Sequence, residues 1–410
     1  MSHARSRLLR SLALFAIGGL LLAGCGSDDE EESGGGGDDG ETLTVKIGLI
    51  APLSGSLSAL GLGMRNAADM AVKQANEDNK IDGWKIVFQP EDDTAKADIG
   101  AQVATKLASD SDVAAVIGTL NSSVALQVQP ILSRANIAMI SPANTGTSLT
   151  MGDDLSTKKR PYTNYFRVCT NDAVQGPFAA NYASKTLGAK TAVLIHDKKA
   201  YGQGLTNEFK AQFEKNGGKV LATETINPGD QDFSAVVSKI KPLNAAVVYY
   251  GGEYPEAAPL SNQLKQGGVK APLMGGDGIF DATYIKNAGA SAEGDLATSV
   301  GAPPEKLDSA KKFIEDYEAA KYSEAYSAYG PQAYDAANVI IEALAEVLDG
   351  KDSLDDATRQ EIIEAIQETD LEGVTGDVTF DEFGDTTTRL LTVYKVQAGA
   401  WKDVETGEFT

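Results

Sequence analysis

Hydroxyls, a phenol and two carboxylates recur at one kind of position in this sequence, just after a short apolar run. Leu120-Asn121-Ser122-Ser123 follows Val113 to Ile117, and Ala143-Asn144-Thr145 follows Ile137 to Ile140. Further on come Tyr201, then Glu253 after Gly251-Gly252, then Asp277 after Leu273-Met274-Gly275-Gly276. Hydroxyls beside the free amides of a helix start suit a carboxylate. A carboxylate such as Asp277 suits an ammonium. Each residue alone has an ordinary explanation: helix caps for Ser122, Ser123 and Thr145, a surface loop for Tyr201, a turn for Asp277. All of them at strand ends, in two separate series, describe a site for a small zwitterion.

The same inventory argues against catalysis. His196, next to Asp197, is the one histidine beyond the first few residues, and no Gly-x-Ser-x-Gly elbow occurs. One histidine and one spare cysteine do not make the usual zinc clusters. Gly61-Leu62-Gly63 lacks the third glycine of a dinucleotide fingerprint. No catalytic residue, metal or cofactor is expected.

The elements that must position these residues read as strand, helix, strand, helix. Leu43 to Ile50, Trp84 to Phe88, Val113 to Ile117 and Ile137 to Ile140 are apolar strands separated by segments of helical periodicity. The pattern resumes with Thr191 to Ile195, a strand near Val220, Ala245 to Tyr250 and Leu273-Met274, with a helix predicted over Asn207 to Asn216. Short, continuously apolar strands alternating with helices imply parallel sheets covered on both faces. Two such series predict an α/β fold of two doubly wound parallel-sheet lobes, with ligand held where the strand C-termini face a crevice.

The ends and the charge bound the rest. Arg5, Arg7 and Arg10 precede an apolar stretch from Ser11 to Leu22, short for a membrane span and right for a signal peptide. Leu22-Ala23-Gly24-Cys25 resembles the lipobox of bacterial lipoproteins, which implies lipidation of Cys25 and export. Gly26 to Glu41 has no apolar residue and reads as a flexible acidic tether. Without residues 1–24 the chain keeps 33 basic and 58 acidic residues, a net charge of −25. Such a chain repels nucleic acid. Cys169 is left without a disulfide partner and reads as a buried strand residue. About 370 remaining residues suggest two domains.

Several stretches resemble, in order, the type I periplasmic binding proteins of the leucine/isoleucine/valine-binding kind. They are Ile47 to Gly55, Ile117 to Ser123, Ile140 to Thr145, His196 to Gly202, Tyr249 to Gly252, Ala292 to Gly294, and Phe380-Asp381 with Gly384. The resemblance spans about Thr44 to Val396. It implies that Ser122 and Thr145 bind a ligand carboxylate, and that the Ala143 carbonyl, the Thr145 hydroxyl and Asp277 hold an ammonium. Tyr201 would close over the ligand, with Leu120, Asn121 and Tyr329 lining the side-chain pocket. Two departures stand out. The family's acid at Asp277 is usually Glu, and aromatics are common where this chain has Glu253 and Leu60. Glu253 would admit a polar or cationic side chain.

The resemblance also divides the chain: a signal at 1–24, a lipidated cysteine and linker at 25–43, a first lobe at 44–168 plus 301–387, and a second at 169–300 plus 388–410. Three crossings would form the hinge. The expected protein is a monomer outside the cytoplasm, anchored by lipid, delivering an amino acid to an ABC permease in the membrane. A ligand-sensing subunit that captures an amino acid or amide without transport is the alternative.

Overall fold

The computed structural model describes residues 42–409. Cys25, the signal segment and most of the linker lie outside the described residues. The described residues group as one compact unit.

A first sheet holds β1 (Leu43–Ala51), β2 (Trp84–Asp92), β3 (Val113–Gly118), β4 (Ala138–Ser141) and β5 (Tyr165–Arg167), all parallel, in the order β2-β1-β3-β4-β5. Its helices are α1 (Ser58–Glu77), α2 (Ala97–Ala108), α3 (Ser122–Arg134) and the short α4 (Ser148–Met151). All six residues of β3 are buried, as expected for a central strand covered on both faces.

The chain then runs through α5 (Asp172–Asn181), β6 (Thr191–His196), α6 (Ala200–Lys215), β7 (Lys219–Thr225), α7 (Ser234–Ile240), β8 (Val247–Gly251), α8 (Tyr254–Gln266), β9 (Leu273–Gly275), α9 (Ala282–Ala288) and β10 (Leu296–Val300). Next come α10 (Lys311–Ala320), α11 (Gly330–Val347), α12 (Asp356–Gln367), the small hairpin β11 (Leu371–Gly373) and β12 (Gly376–Val378), and finally β13 (Leu390–Gln397) and β14 (Ala400–Glu408). The second sheet is ordered β14-β13-β10-β9-β8-β6-β7. Strands β6 to β10 are parallel, and β13 and β14 add an antiparallel hairpin at the edge, which the sequence pattern did not reveal. Helices α10 to α12 turn back: α11 packs on α1, β3 and β4, and α12 on β4.

Two sequence expectations need correction. Helix α6 begins at Ala200, seven residues before the predicted Asn207, so Tyr201 stands in its first turn and is buried. Gly202 and Gly204 weaken the helical signal of that turn. Gly202 is there for contact, since a side chain would strike the Gly251 carbonyl at the end of β8. Cys169 is buried but lies two residues beyond β5 rather than in a strand.

Candidate functional site

The C-terminal ends of β3, β4, β8 and β9 converge, and the site is built there. Asn121 precedes α3 with extended backbone and no side-chain cap, so the first amides of α3, at Ser122 and Ser123, are the orphan donors of a helix start. The Ser122 hydroxyl accepts from the Gly146 amide at 3.2 Å, which leaves its own proton free to donate. The loop after β4 is tied down from below. Ser141 Oγ accepts from the amides of Ala143 (3.2 Å) and Asn144 (2.8 Å), and Asn144 Nδ2 donates to the Leu120 carbonyl at 2.9 Å.

Beneath that loop lies a residue the sequence reading passed over. Arg167, fully buried in β5, donates to the carbonyls of Asn144 (3.0 Å) and Gly146 (2.9 Å), to Thr150 Oγ1 and to Asp385. It clamps both sides of Thr145. The available signal was a lone arginine inside the apolar run Tyr165 to Val168, where a charge needs a partner.

Asp277 is the centre of the other wall. Its Oδ1 accepts from the Tyr201 hydroxyl at 2.7 Å and Gln175 Nε2 at 3.0 Å, and its Oδ2 accepts from the Tyr329 hydroxyl at 2.7 Å. Tyr201 Oη also accepts from the Gly278 amide at 3.0 Å. The chain passes so close to Tyr201 that a side chain at Gly276 would strike its hydroxyl and Leu205. Burial raises the Asp277 pKa above the usual carboxylate value, against the opposing pull of the Tyr329, Tyr201 and Gln175 bonds. Asp172, at the start of α5, was also missed. It is fully buried, and burial together with the nearby Asp277 charge pushes its pKa well up.

Contacts cross between the two sheets' loops. Asn121 Nδ2 donates to Glu253, which also pairs with Lys199, and the Ala200 amide donates to Ser123 Oγ at 3.2 Å. The Tyr254 hydroxyl donates to the Ser56 carbonyl at 2.5 Å. The cleft is therefore shut. Between its walls lies a cavity of about 20 Å³, room for roughly one water, lined by Leu60, Gly278 and eight of the nine predicted residues. The ninth, Thr145, is buried but outside that lining, its carbonyl accepting from the Asp172 amide at 2.8 Å. A groove of about 890 Å³ beside Phe280, Tyr394 and Trp401 is far larger and also charged, but the small cavity is the one lined together by the loops after β3, β4, β8 and β9.

The family model for periplasmic binding proteins matches residues 44–400. The chain belongs to that family. A Leu/Ile/Val-binding protein homolog from Brucella melitensis is 32% identical over 87% of this chain and 92% of its own length. The leucine-, isoleucine-, valine-, threonine- and alanine-binding protein of Pseudomonas aeruginosa is 31% identical over 96% of this chain and 97% of its own. The crystal structure of a leucine-binding protein from Thermotoga maritima superposes with a TM-score of 0.79 at 30% identity, covering 88% of this chain and 98% of that one. A branched-chain amino acid transporter binding protein from Streptococcus pneumoniae, in complex with isoleucine, gives 0.78 at 29% identity over 89% and 99%. The chain presents two sheets whose loops meet at one cleft, and no described helix is long and apolar enough to cross a membrane.

Proposed function

We propose that this periplasmic binding protein is a lipid-anchored receptor that closes around a free α-amino acid and hands it to an ABC permease. The observation that carries the reading is Asp277: a buried carboxylate at the cleft, held by Tyr201 from one wall and Tyr329 from the other. An α-ammonium is the group that would neutralise it. The α-carboxylate would take the Ser122 hydroxyl and the first amides of α3, with Thr145 and the Ala143 carbonyl completing the cage. Relatives named for leucine, isoleucine and valine support an amino acid as the ligand class.

In this reading residues 44–168 with 301–387 move as one lobe and 169–300 with 388–410 as the other. Closure is a rigid-body rotation about the three crossings between them. Reopening must enlarge the present cavity, which is too small for any amino acid.

Calorimetry tests the reading by comparing an amino acid with its deaminated acid and its decarboxylated amine. Both truncated compounds should bind at least about a hundredfold more weakly, because each leaves a buried charge or donor set unpaired. Equal binding of the deaminated acid would defeat the ammonium role. The anchor is tested separately, by labelling cells with a radioactive fatty acid: wild type should take up label and Cys25→Ser should not. Equal labelling would sink the lipoprotein assignment.

A further inference from the structure

The cavity lining carries acceptors beyond Asp277. Glu253 stands just before α8, with its carboxylate in the cavity wall. One oxygen accepts from Asn121 Nδ2 across the cleft and the other from Lys199 Nζ. Because a carboxylate can only accept, Asn121 must turn its Nδ2 toward Glu253, which fixes its amide orientation. Its Oδ1 is left buried with no hydrogen-bond partner, and Asn121 itself is 5% exposed. A buried acceptor without a donor is costly, and here it belongs to a residue of the cavity lining.

Charge around this corner points the same way. Lys199 meets Glu253 and, at 3.8 Å, Asp197. Glu256 is close enough to Asp197 and Lys199 for its charge to be felt by them. Asp197 and Glu253 are almost wholly buried, and Asp197 Oδ2 also lacks a hydrogen-bond partner. Three carboxyl groups thus lie within charge range of one ammonium. Leu60 and Leu120, which also line the cavity, offer no side-chain donor. A branched aliphatic side chain placed here would cover Asn121 Oδ1 without giving it a donor.

We infer that Glu253 and Asn121 select an α-amino acid whose side chain carries hydrogen-bond donors (a hydroxyl, carboxamide or ammonium) over one with a branched aliphatic side chain. The inference rests on the amino-acid reading above and names the side-chain class within it. A site built to bond an N–H or O–H group rejects the analogue that lacks it more strongly than an apolar pocket rejects an extra methylene.

The experiment is a calorimetric panel of leucine, valine, threonine, asparagine, glutamine, lysine and arginine on wild type, Glu253→Leu, Glu253→Gln and Asp277→Asn, each with a melting curve. In wild type the best donor-bearing amino acid should exceed leucine by about a hundredfold. Glu253→Leu should reverse that order. Glu253→Gln, nearly isosteric, should keep hydroxyl and amide side chains and lose cationic ones if the preferred donor is an ammonium, and should change little if it is neutral. Leucine binding tighter than every donor-bearing amino acid in wild type would overturn the inference. So would a Glu253→Leu protein that melts normally and weakens all ligands equally, since that is the signature of a closure latch. In either case, loss of binding in Asp277→Asn would leave the amino-acid reading standing. If no amino acid binds wild type at all, both fall.

Discussion

Asp277→Asn separates charge from packing at the centre of the cleft. In the wild-type protein Asp277 accepts three hydrogen bonds, from Tyr201 and Gln175 on one oxygen and from Tyr329 on the other. An asparagine can keep all three. Its Oδ1 still accepts from Tyr201 and Gln175, and its Nδ2 donates to Tyr329, whose hydroxyl can turn from donor to acceptor. Truncation to alanine would instead orphan two phenols and an amide, mixing lost stability with lost binding. With asparagine the melting temperature should stay within a few degrees or rise, because burial already disfavours the wild-type charge. Binding should suffer. Removing one partner of a buried ion pair costs about 3–5 kcal/mol, and the surviving dipole of the amide places this change near 3 kcal/mol. At about 1.4 kcal/mol per decade, that is roughly a hundredfold or more in Kd. The pH dependence gives a second readout. The Asp277 pKa is raised, so acidification should protonate it in the free protein and weaken wild-type affinity, while Asp277→Asn should show no such loss. Titration calorimetry at neutral and mildly acidic pH measures both quantities. An asparagine variant that folds and binds within about threefold of wild type would refute the reasoning.

Three further expectations follow from the same geometry. Tyr201→Phe removes the bond to the charged Asp277, a loss of about 1.5–3 kcal/mol, together with the bond accepted from the Gly278 amide, and should appear mainly as faster dissociation in stopped-flow fluorescence; an unchanged off-rate would place Tyr201 outside the gating contact. Arg167→Leu leaves Asp385 buried without its ion-pair partner and should destabilise by about 3–5 kcal/mol in denaturant titration while loosening the loop that carries Thr145; a fully stable variant would mean the clamp is dispensable. Burial lifts the carboxyls of Asp93 and Asp197 to about 7 and of Asp335 to about 6. Between their ordinary range and those values the folded state binds more protons than the unfolded one, so stability falls as pH rises. The melting temperature should therefore climb on going from pH 8 to pH 6, with Asp335→Asn showing a smaller climb, and a flat or falling profile would contradict the burial of these groups.

Much of this protein was legible in one dimension because short-range physics wrote it there. Val113 to Ile117 and Ala245 to Tyr250 are apolar without interruption because strands covered on both faces expose no side to water, and that pattern alone distinguishes a parallel core. The turn residues after them place Ser122, Ala143, Glu253 and Asp277 at strand ends, whereas Tyr329 was named only through the resemblance to the binding-protein family. The structure decided what depends on partners far apart in the chain. Asp172 and Gln175 look like ordinary helix-start residues until the fold carries Asp277, about a hundred positions away, against them. Lys199 reads as a surface lysine until Glu253 arrives. Tyr201 belonged to a loop by local propensity, because Gly202 and Gly204 dilute the helical signal, yet contact with Gly251 is what requires Gly202 to be small. Local periodicity carries information about which face is buried, whereas the charge state and partners of a buried group depend on what tertiary packing brings to it.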